Sequence, residues 1–499
     1  MRTLTLMIRI LARLLPATIV ASLGHAAAAQ TASAERPNIL FCLADDWSWP
    51  HAGPYGDRLV KTPTFDRVAR EGILFTHAFC ATSSCTASRA AILTGQYPHR
   101  LEQGANLFGF LPKRFPVYPD LLEAAGYQVG LTRKGWAPGI YQAGGYMRNP
   151  AGPYYEDFAE FLKTAPEDKP FCFWFGAVDP HRPYQQDAWQ ETALKLEDVV
   201  VPPYLPDSPE VRSDILDYYF EVERFDRETG EMLGLLDKAG KLDNTLVVIT
   251  GDNGWPFPRA KATLYDAGTR VPLAMRWPAR VKGGRTSHDF VNLSDLAPTF
   301  LEAAGAEPPA QMTARSLLGL LTGAEPSGKR TAVFLDRERH APVHPENGGY
   351  PSRAVRTGQF LYIRNFRPDR WPVGDLEGTG GYGPFGDCDA GPTKKYLLAH
   401  RDDPTAARFF QLAFAQRPAE ELYDVKQDPC QLDNRAGRPE YAAAQQQLRA
   451  MLDGWMRRTG DPRAIHDDDR FDRYPFFRRD SDADKYWPQW GALFLIKPK

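Results

Sequence analysis

The chain is short of cysteine. Six thiols in 499 residues are too few for disulfides to hold an architecture of this size, so the fold must rest on a buried apolar core. An excess of either charge is also missing: 60 Lys and Arg stand against 62 Asp and Glu, a net charge of −2. With no basic tail, the chain lacks the electrostatic footprint of a nucleic-acid binder. A local groove of Arg and Lys can still draw a polyanion whatever the net charge. Internal repeats and low-complexity tracts are absent. Beyond the opening residues no apolar run is long enough to span a bilayer, which argues against stable membrane insertion. The early run Leu14 to Leu23 follows Arg2, Arg9 and Arg13 and precedes His25-Ala26-Ala27-Ala28-Ala29-Gln30. That is the pattern of a secretory signal over residues 1–29, and it predicts an exported, periplasmic or extracellular protein.

What is present reads as an α/β chain. Ile39-Leu40-Phe41-Cys42-Leu43-Ala44 is an apolar run ending in Asp45-Asp46, the pattern of a strand buried on both faces with carboxylates at its carboxyl end. The pattern recurs from Phe171 to Val178, which delivers Asp179-Pro180-His181-Arg182, and from Thr245 to Thr250, which delivers Gly251-Asp252-Asn253. Helical stretches near 62–71, 119–125 and 211–238 alternate with them, so a mostly parallel central sheet flanked by helices is expected. Ligands of such sheets collect at the carboxyl ends of the strands. Near 346–350 the texture changes. We read 36–345 as a catalytic domain and 346–499 as a smaller α+β domain with an antiparallel sheet and a carboxy-terminal helix. Cys42 and Cys172 lie in apolar runs and read as core; Cys388 and Cys430 could pair.

The stretch around which the chain is organised is Ser83-Ser84-Cys85-Thr86-Ala87-Ser88-Arg89, continuing to Thr94-Gly95. It reads as a loop feeding a helix with Cys85 at the amino end, where free N–H groups and the helix dipole favour an anion. Arg89, one turn on, can aim its fork the same way. On its own, a lone Cys-x-x-x-Arg is more often an ordinary buried cysteine on a helix. Asp45, Asp46, Asp252 and Asn253 are hard oxygen donors from two strand ends, suited to calcium or magnesium rather than zinc. Lys134, His181 and Lys261 are the remaining polar candidates, although a solvated surface is the commoner fate of a lysine.

The Cys85 segment resembles the sulfatase signature Cys-x-Pro-x-Arg followed by Thr-Gly, with Ala87 where the commonest form has proline. The resemblance runs from about Arg36 to about Ala450 and is nearest to the heparan N-sulfatase, or sulfamidase, branch, through Asp252 to Lys261 and Asp179-Pro180-His181-Arg182. It implies an alkaline-phosphatase-like fold and oxidation of Cys85 to formylglycine by a maturase. It also implies a calcium ion held by Asp45, Asp46, Asp252 and Asn253 beside residue 85. Arg89 and the metal would then activate the formylglycine hydrate, Lys134 and Lys261 would hold sulfate oxygens, and His181 would sit beside the leaving atom. The sequence departs from the family at Trp136, where Lys-x-His is usual, and His340 is a candidate substitute. Lys261 stands where the branch often has arginine, giving up the bidentate fork.

The implied function is release of sulfate from a sulfated oligosaccharide, with N-sulfoglucosamine units of heparin or heparan sulfate preferred. An O-sulfatase, an arylsulfatase or a phosphonate monoester hydrolase shares the same anion cradle. An unmatured chain that binds sulfated glycans without turnover is the reading of another class. Arg182 and Arg353 are candidates to meet a substrate carboxylate or second sulfate, against ordinary salt bridging. Sugar selectivity is assigned to the loops 101–110, 340–350 and 374–386.

Overall fold

The computed structural model describes residues 36–464, 466 and 468–477. The signal segment read over 1–29 and the charged, aromatic stretch after 477 lie outside the described residues.

Seven strands build the main sheet: β1 Asn38–Ala44, β2 Ile73–Phe79, β3 Gln128–Arg133, β4 Phe171–Gly176, β5 Thr245–Gly251, β6 Leu273–Arg276 and β7 Arg285–Asn292. Their spatial order is β3-β4-β1-β5-β6-β2-β7. The first four of that order are parallel, Leu40 standing opposite Phe173 on one side and Val247 on the other. β6 runs antiparallel to both β5 and β2. Two reversals cancel, so the carboxyl end of β2 opens on the same edge as those of β1 and β5.

Alternation along each strand explains why these runs are apolar throughout. Ile39, Phe41 and Leu43 point into one core layer with Trp174, Leu246 and Val248. Leu40, Cys42 and Ala44 point into the other with Phe173, Phe175, Val247 and Ile249. Each large side chain so buried contributes about 1.5–3 kcal/mol. Helices α1 Pro63–Glu71, α2 Cys85–Thr94, α3 Tyr118–Ala124 and α4 Phe158–Thr164 come before the longest, α5 Pro209–Lys238. α5 starts at Pro209 behind the Ser208 cap, whose side chain accepts from the Val211 N–H. It lays Val211, Ile215, Val222, Phe225 and Leu236 on the second layer. α2 packs Ala90, Ile92 and Leu93 into the first and ends at Gly95, whose left-handed φ of 61° lets its N–H close on Ala91. A Cβ there would also meet Met312 at 3.1 Å, which accounts for glycine at that place.

A second, antiparallel sheet has the order β11-β10-β9-β8, with β8 Ala332–Arg337, β9 Ser352–Thr357, β10 Phe360–Asn365 and β11 Glu420–Asp424. One face packs Leu335, Ala354, Leu361 and Ile363 against Phe79 and Phe290 of the main sheet. The other packs Val355, Tyr362 and Leu422 against Leu452, Trp455 and Met456 of the helix Ala442–Thr459. The sheet begins at Ala332, ahead of the change of texture near 346, so a boundary at 346 falls between its first two strands. All six cysteines are free; the pairing of Cys388 with Cys430 does not form. Among the described residues no helix is long and apolar enough to cross a membrane.

Candidate active site

Strand order alone gathers the polar clusters. β3, β4, β1 and β5 lie side by side and parallel, so Lys134, His181, Asp45-Asp46 and Asp252-Asn253 emerge along one edge. The return of β2 to that edge delivers the Cys85 loop. Ser83 fastens that loop to the Lys261 loop, its carbonyl and hydroxyl each accepting from the Ala262 N–H at 3.0 Å.

Cys85 is the first residue of α2. The Ser84 hydroxyl does not close the helix end; it pairs with Nδ1 of His340 at 2.9 Å. The first-turn N–H groups therefore stay available to an anion. Ala87, the third helical residue, stands where an N–H needs no intrahelical partner, so alanine or proline serves the helix equally. The Cys85 thiol is buried, 3.4 Å from Oδ1 of Asp45 and 3.8 Å from Oδ1 of Asp46. Burial, with Asp45 and Asp252 nearby, pushes it well above an ordinary thiol against the pull of Lys134 and Lys261. A resting thiolate nucleophile would need the opposite shift.

Asp45, Asp46, Asp252 and Asn253 are all fully buried. The Asp46 N–H donates to Asp252 Oδ1 at 3.0 Å, with Asp46 in a left-handed turn at φ 74° that aspartate tolerates. Asn253 Nδ2 donates to Asp46 Oδ1 at 2.5 Å, while its Oδ1 has no partner among the described residues. Burial raises Asp46 and Asp252 to about 6 each; Asp45 adds to both, and Lys261 and Arg89 respectively oppose. Burial also lifts Asp45, but Lys134, His181 and Arg89 together hold it below the usual range. Three crowded carboxylates, a thiol within 4.8 Å of them and an orphaned amide oxygen suit a hard divalent cation.

Lys134 pairs with Asp45. Lys261 pairs with Asp46 at 2.7 Å and with Asp389 at 3.0 Å. Both lysines, with Cys85, His181 and His340, line one cavity of about 430 Å³ whose mouth is apolar, through Phe108, Ile140, Tyr382 and Phe477. The ring of His181 turns one nitrogen to the Arg182 carbonyl and the other to Asp46, 3.8 Å away. Burial and Lys261 lower it to about 4.

Other expected residues land differently. Arg89 is wholly buried and does not line the cavity; it donates to Asp252 at 2.8 Å and to the carbonyls of Lys134 and Gly135, and its Nη2, 3.7 Å from Asp45, has no hydrogen-bond partner among the described residues. Arg182 lines the cavity, but its fork closes on Asp214 at 2.7 and 2.8 Å and its Nε on the Pro256 carbonyl. Its fork is committed to a buried structural pair. Arg353 is buried between Asp461 and Glu338, away from the cavity. Trp136 is packed in the first core layer. His340, from the loop after β8, lines the cavity, as His181 does. Asp389 carries no mark in the sequence as a site residue: it follows a Gly-rich loop, and only the fold brings it to Lys261.

Comparison with known proteins follows the same lines. Residues 37–306 match the Sulfatase family model, and residues 251–379 match one described as N-sulphoglucosamine sulphohydrolase, C-terminal. The chain is 30% identical to the human N-sulphoglucosamine sulphohydrolase over 85% of its own length and 91% of the relative's. It is equally 30% identical to an ulvan-active sulfatase of Formosa agariphila, over 86% and 82%. A solved structure of a protein in complex with its substrate, D-glucosamine-2-N,6-O-disulfate, superposes with a TM-score of 0.62 at 22% identity, covering 87% of this chain and all of that one.

Proposed function

Because this chain belongs to the sulfatase family, we propose that it is an exported hydrolase of sulfated amino sugars, with the N-sulfate of glucosamine units its preferred target. One observation carries the reading: Cys85 at the open end of α2 shares a cavity with Lys134, Lys261 and His181. The two ammonium groups and the helix end form a cradle for a tetrahedral anion, and burial strengthens each contact with it. The match to the N-sulphoglucosamine sulphohydrolase carboxy-terminal model favours an amino sugar, and the aromatic mouth suits the apolar face of a pyranose ring.

When present, a formylglycine formed from Cys85 would supply the nucleophile and a calcium ion the charge that acidifies it. Asp45, Asp46, Asp252 and Asn253 would hold that ion. Arg89 keeps Asp252 in place, Lys134 and Lys261 neutralise the sulfuryl oxygens, and His181 stands where a proton reaches the leaving atom.

The second reading is a glycan O-sulfatase, favoured by equal identity to the ulvan-active relative. Free sulfate measured from N-sulfoglucosamine, 6-O-sulfated N-acetylglucosamine and an aryl sulfate, each under the same conditions, separates the two. Mass spectrometry of the Cys85 peptide tests the chemistry beneath both: an intact thiol in turning-over protein rules out the aldehyde, and an intact thiol in inert protein leaves a sulfated-glycan binder.

A further inference from the structure

The sulfate cradle contains a carboxylate that the chemistry above leaves without a task. Asp389 lies beside Lys261 at 3.0 Å, in a group with Asp46 and His181 whose nearest polar atoms are all within 4.8 Å of one another. It lines the same cavity as Cys85. Its Oδ2 is buried and faces Lys261, and the side chain as a whole keeps 26% of its exposure where it lines the cavity. Lys261 first, then His181, outweigh burial and hold it below the usual carboxylate range, so it stays charged. The ammonium of Lys261 sits between Asp46 and Asp389.

A charged carboxylate next to an anion site repels the ligand unless the ligand turns a hydrogen-bond donor toward it. A sulfate ester has none at the bond that breaks, because its bridging oxygen carries no hydrogen. A sulfamate does, because its bridging nitrogen carries N–H. After cleavage the nitrogen keeps the bonding pair, takes a proton and becomes an amine that is an ammonium at neutral pH, still a match for a carboxylate.

We propose that Asp389 is the residue that reads the scissile bond: the carboxyl oxygen not engaged by Lys261 accepts the sulfamate N–H and selects N-sulfated over O-sulfated amino sugars. This rests on the sulfated amino-sugar reading above.

Asp389→Asn provides the test. Lys261 orients the amide oxygen toward itself, so the NH₂ would face the substrate, setting donor against donor for a sulfamate and donor against acceptor for an ester. The ratio of kcat/KM for N-sulfoglucosamine to that for 6-O-sulfated N-acetylglucosamine should fall roughly 10- to 100-fold, expressed per formylglycine-bearing molecule. Asp389→Glu, which keeps an acceptor, should recover part of it. Calorimetry supplies a readout independent of turnover: glucosamine should bind wild type more tightly than N-acetylglucosamine does, and the Asn variant should lose most of that difference. Equal losses on both substrates, with the glucosamine preference intact, would mean that Asp389 acts only through Lys261 and would overturn the proposal alone. Wild-type protein that cleaves the ester but not the sulfamate would end the substrate reading, and the role of Asp389 with it. Melting curves of both variants verify that each is folded.

Discussion

Lys261 Nζ lies 2.7 Å from Oδ2 of Asp46, with both residues buried and Lys261 lining the cavity. This contact joins the anion cradle to the carboxylate cluster, so a change at either is felt by the other.

Lys261→Ala removes one of the two ammonium groups that line the cavity and leaves Asp46 and Asp389 without the cation that bridges them. Loss of one such electrostatic contact costs about 10²- to 10³-fold in kcat. Lys261→Arg keeps the charge and should lose less, since a guanidinium can hold a tetrahedral anion as well as an ammonium can. Steady-state kinetics on an aryl sulfate decide the matter, and an alanine variant within a few-fold of wild type would remove Lys261 from the cradle.

The carboxylate cluster predicts a response to calcium. Asp46 and Asp252 are both raised to about 6 by burial and, beyond it, by the charge of Asp45, so the cluster is under repulsion that a bound cation relieves. Ligand binding to the native state alone at 100 times Kd adds about 2.7 kcal/mol. Added calcium should raise the Tm and chelation should lower it. Asn253→Ala, which removes the oxygen that has no other partner, should blunt the shift. A Tm indifferent to calcium in wild type would contradict the donor set.

Arg182→Ala should act on stability before it acts on substrate. The pair with Asp214 is buried and bidentate, and Asp214 also accepts from the Thr393 N–H and hydroxyl. Breaking such a pair from one side costs about 3–5 kcal/mol. Chemical denaturation should show that loss, while KM for a small aryl sulfate moves little at temperatures where the variant is folded. A large KM change with unaltered stability would return Arg182 to the substrate.

These outcomes also mark how far the sequence could be read. Asp45, Asp46, Asp252 and Asn253 were legible because a strand apolar on every residue must be buried on both faces, and the polar residues that end it must lie at the rim. The spacing of Cys85 and Arg89 placed them one turn apart at the start of one helix, but only the resemblance to the sulfatase signature marked that helix end as a site. Arg182 was not, because its partner Asp214 sits on α5, 32 residues away, and nothing local announces the pair. Trp136 read as a departure from the family's pattern at the site, yet its ring belongs to the core. His340 and Asp389 reach the cavity from beyond the main sheet, one after β8 and one after the Gly-rich loop. Contacts made at that range depend on packing, which residue spacing does not encode.

The same packing builds in a pH dependence at Glu221, on the buried face of α5. Its carboxylate pairs with Arg224, which also holds Asp179 at 2.5 Å through both nitrogens, and Asp179 anchors the turn that carries His181. Burial first, then the charge of Asp179, raise Glu221 to about 8, far above about 4.3 for an unfolded chain. Between those values the native state binds the extra proton, so the unfolded state binds fewer and stability falls as pH rises. The contribution is complete below the unfolded value and is lost as pH climbs through 8. Glu221→Gln cannot ionise and keeps an acceptor for the Gln185 N–H. The Tm of the variant relative to wild type should therefore climb between pH 6 and pH 9. A difference that stays flat over that range, or that moves against the variant, would show that Arg224 keeps Glu221 ionised throughout and that the turn bearing His181 is held by a full salt bridge at every pH.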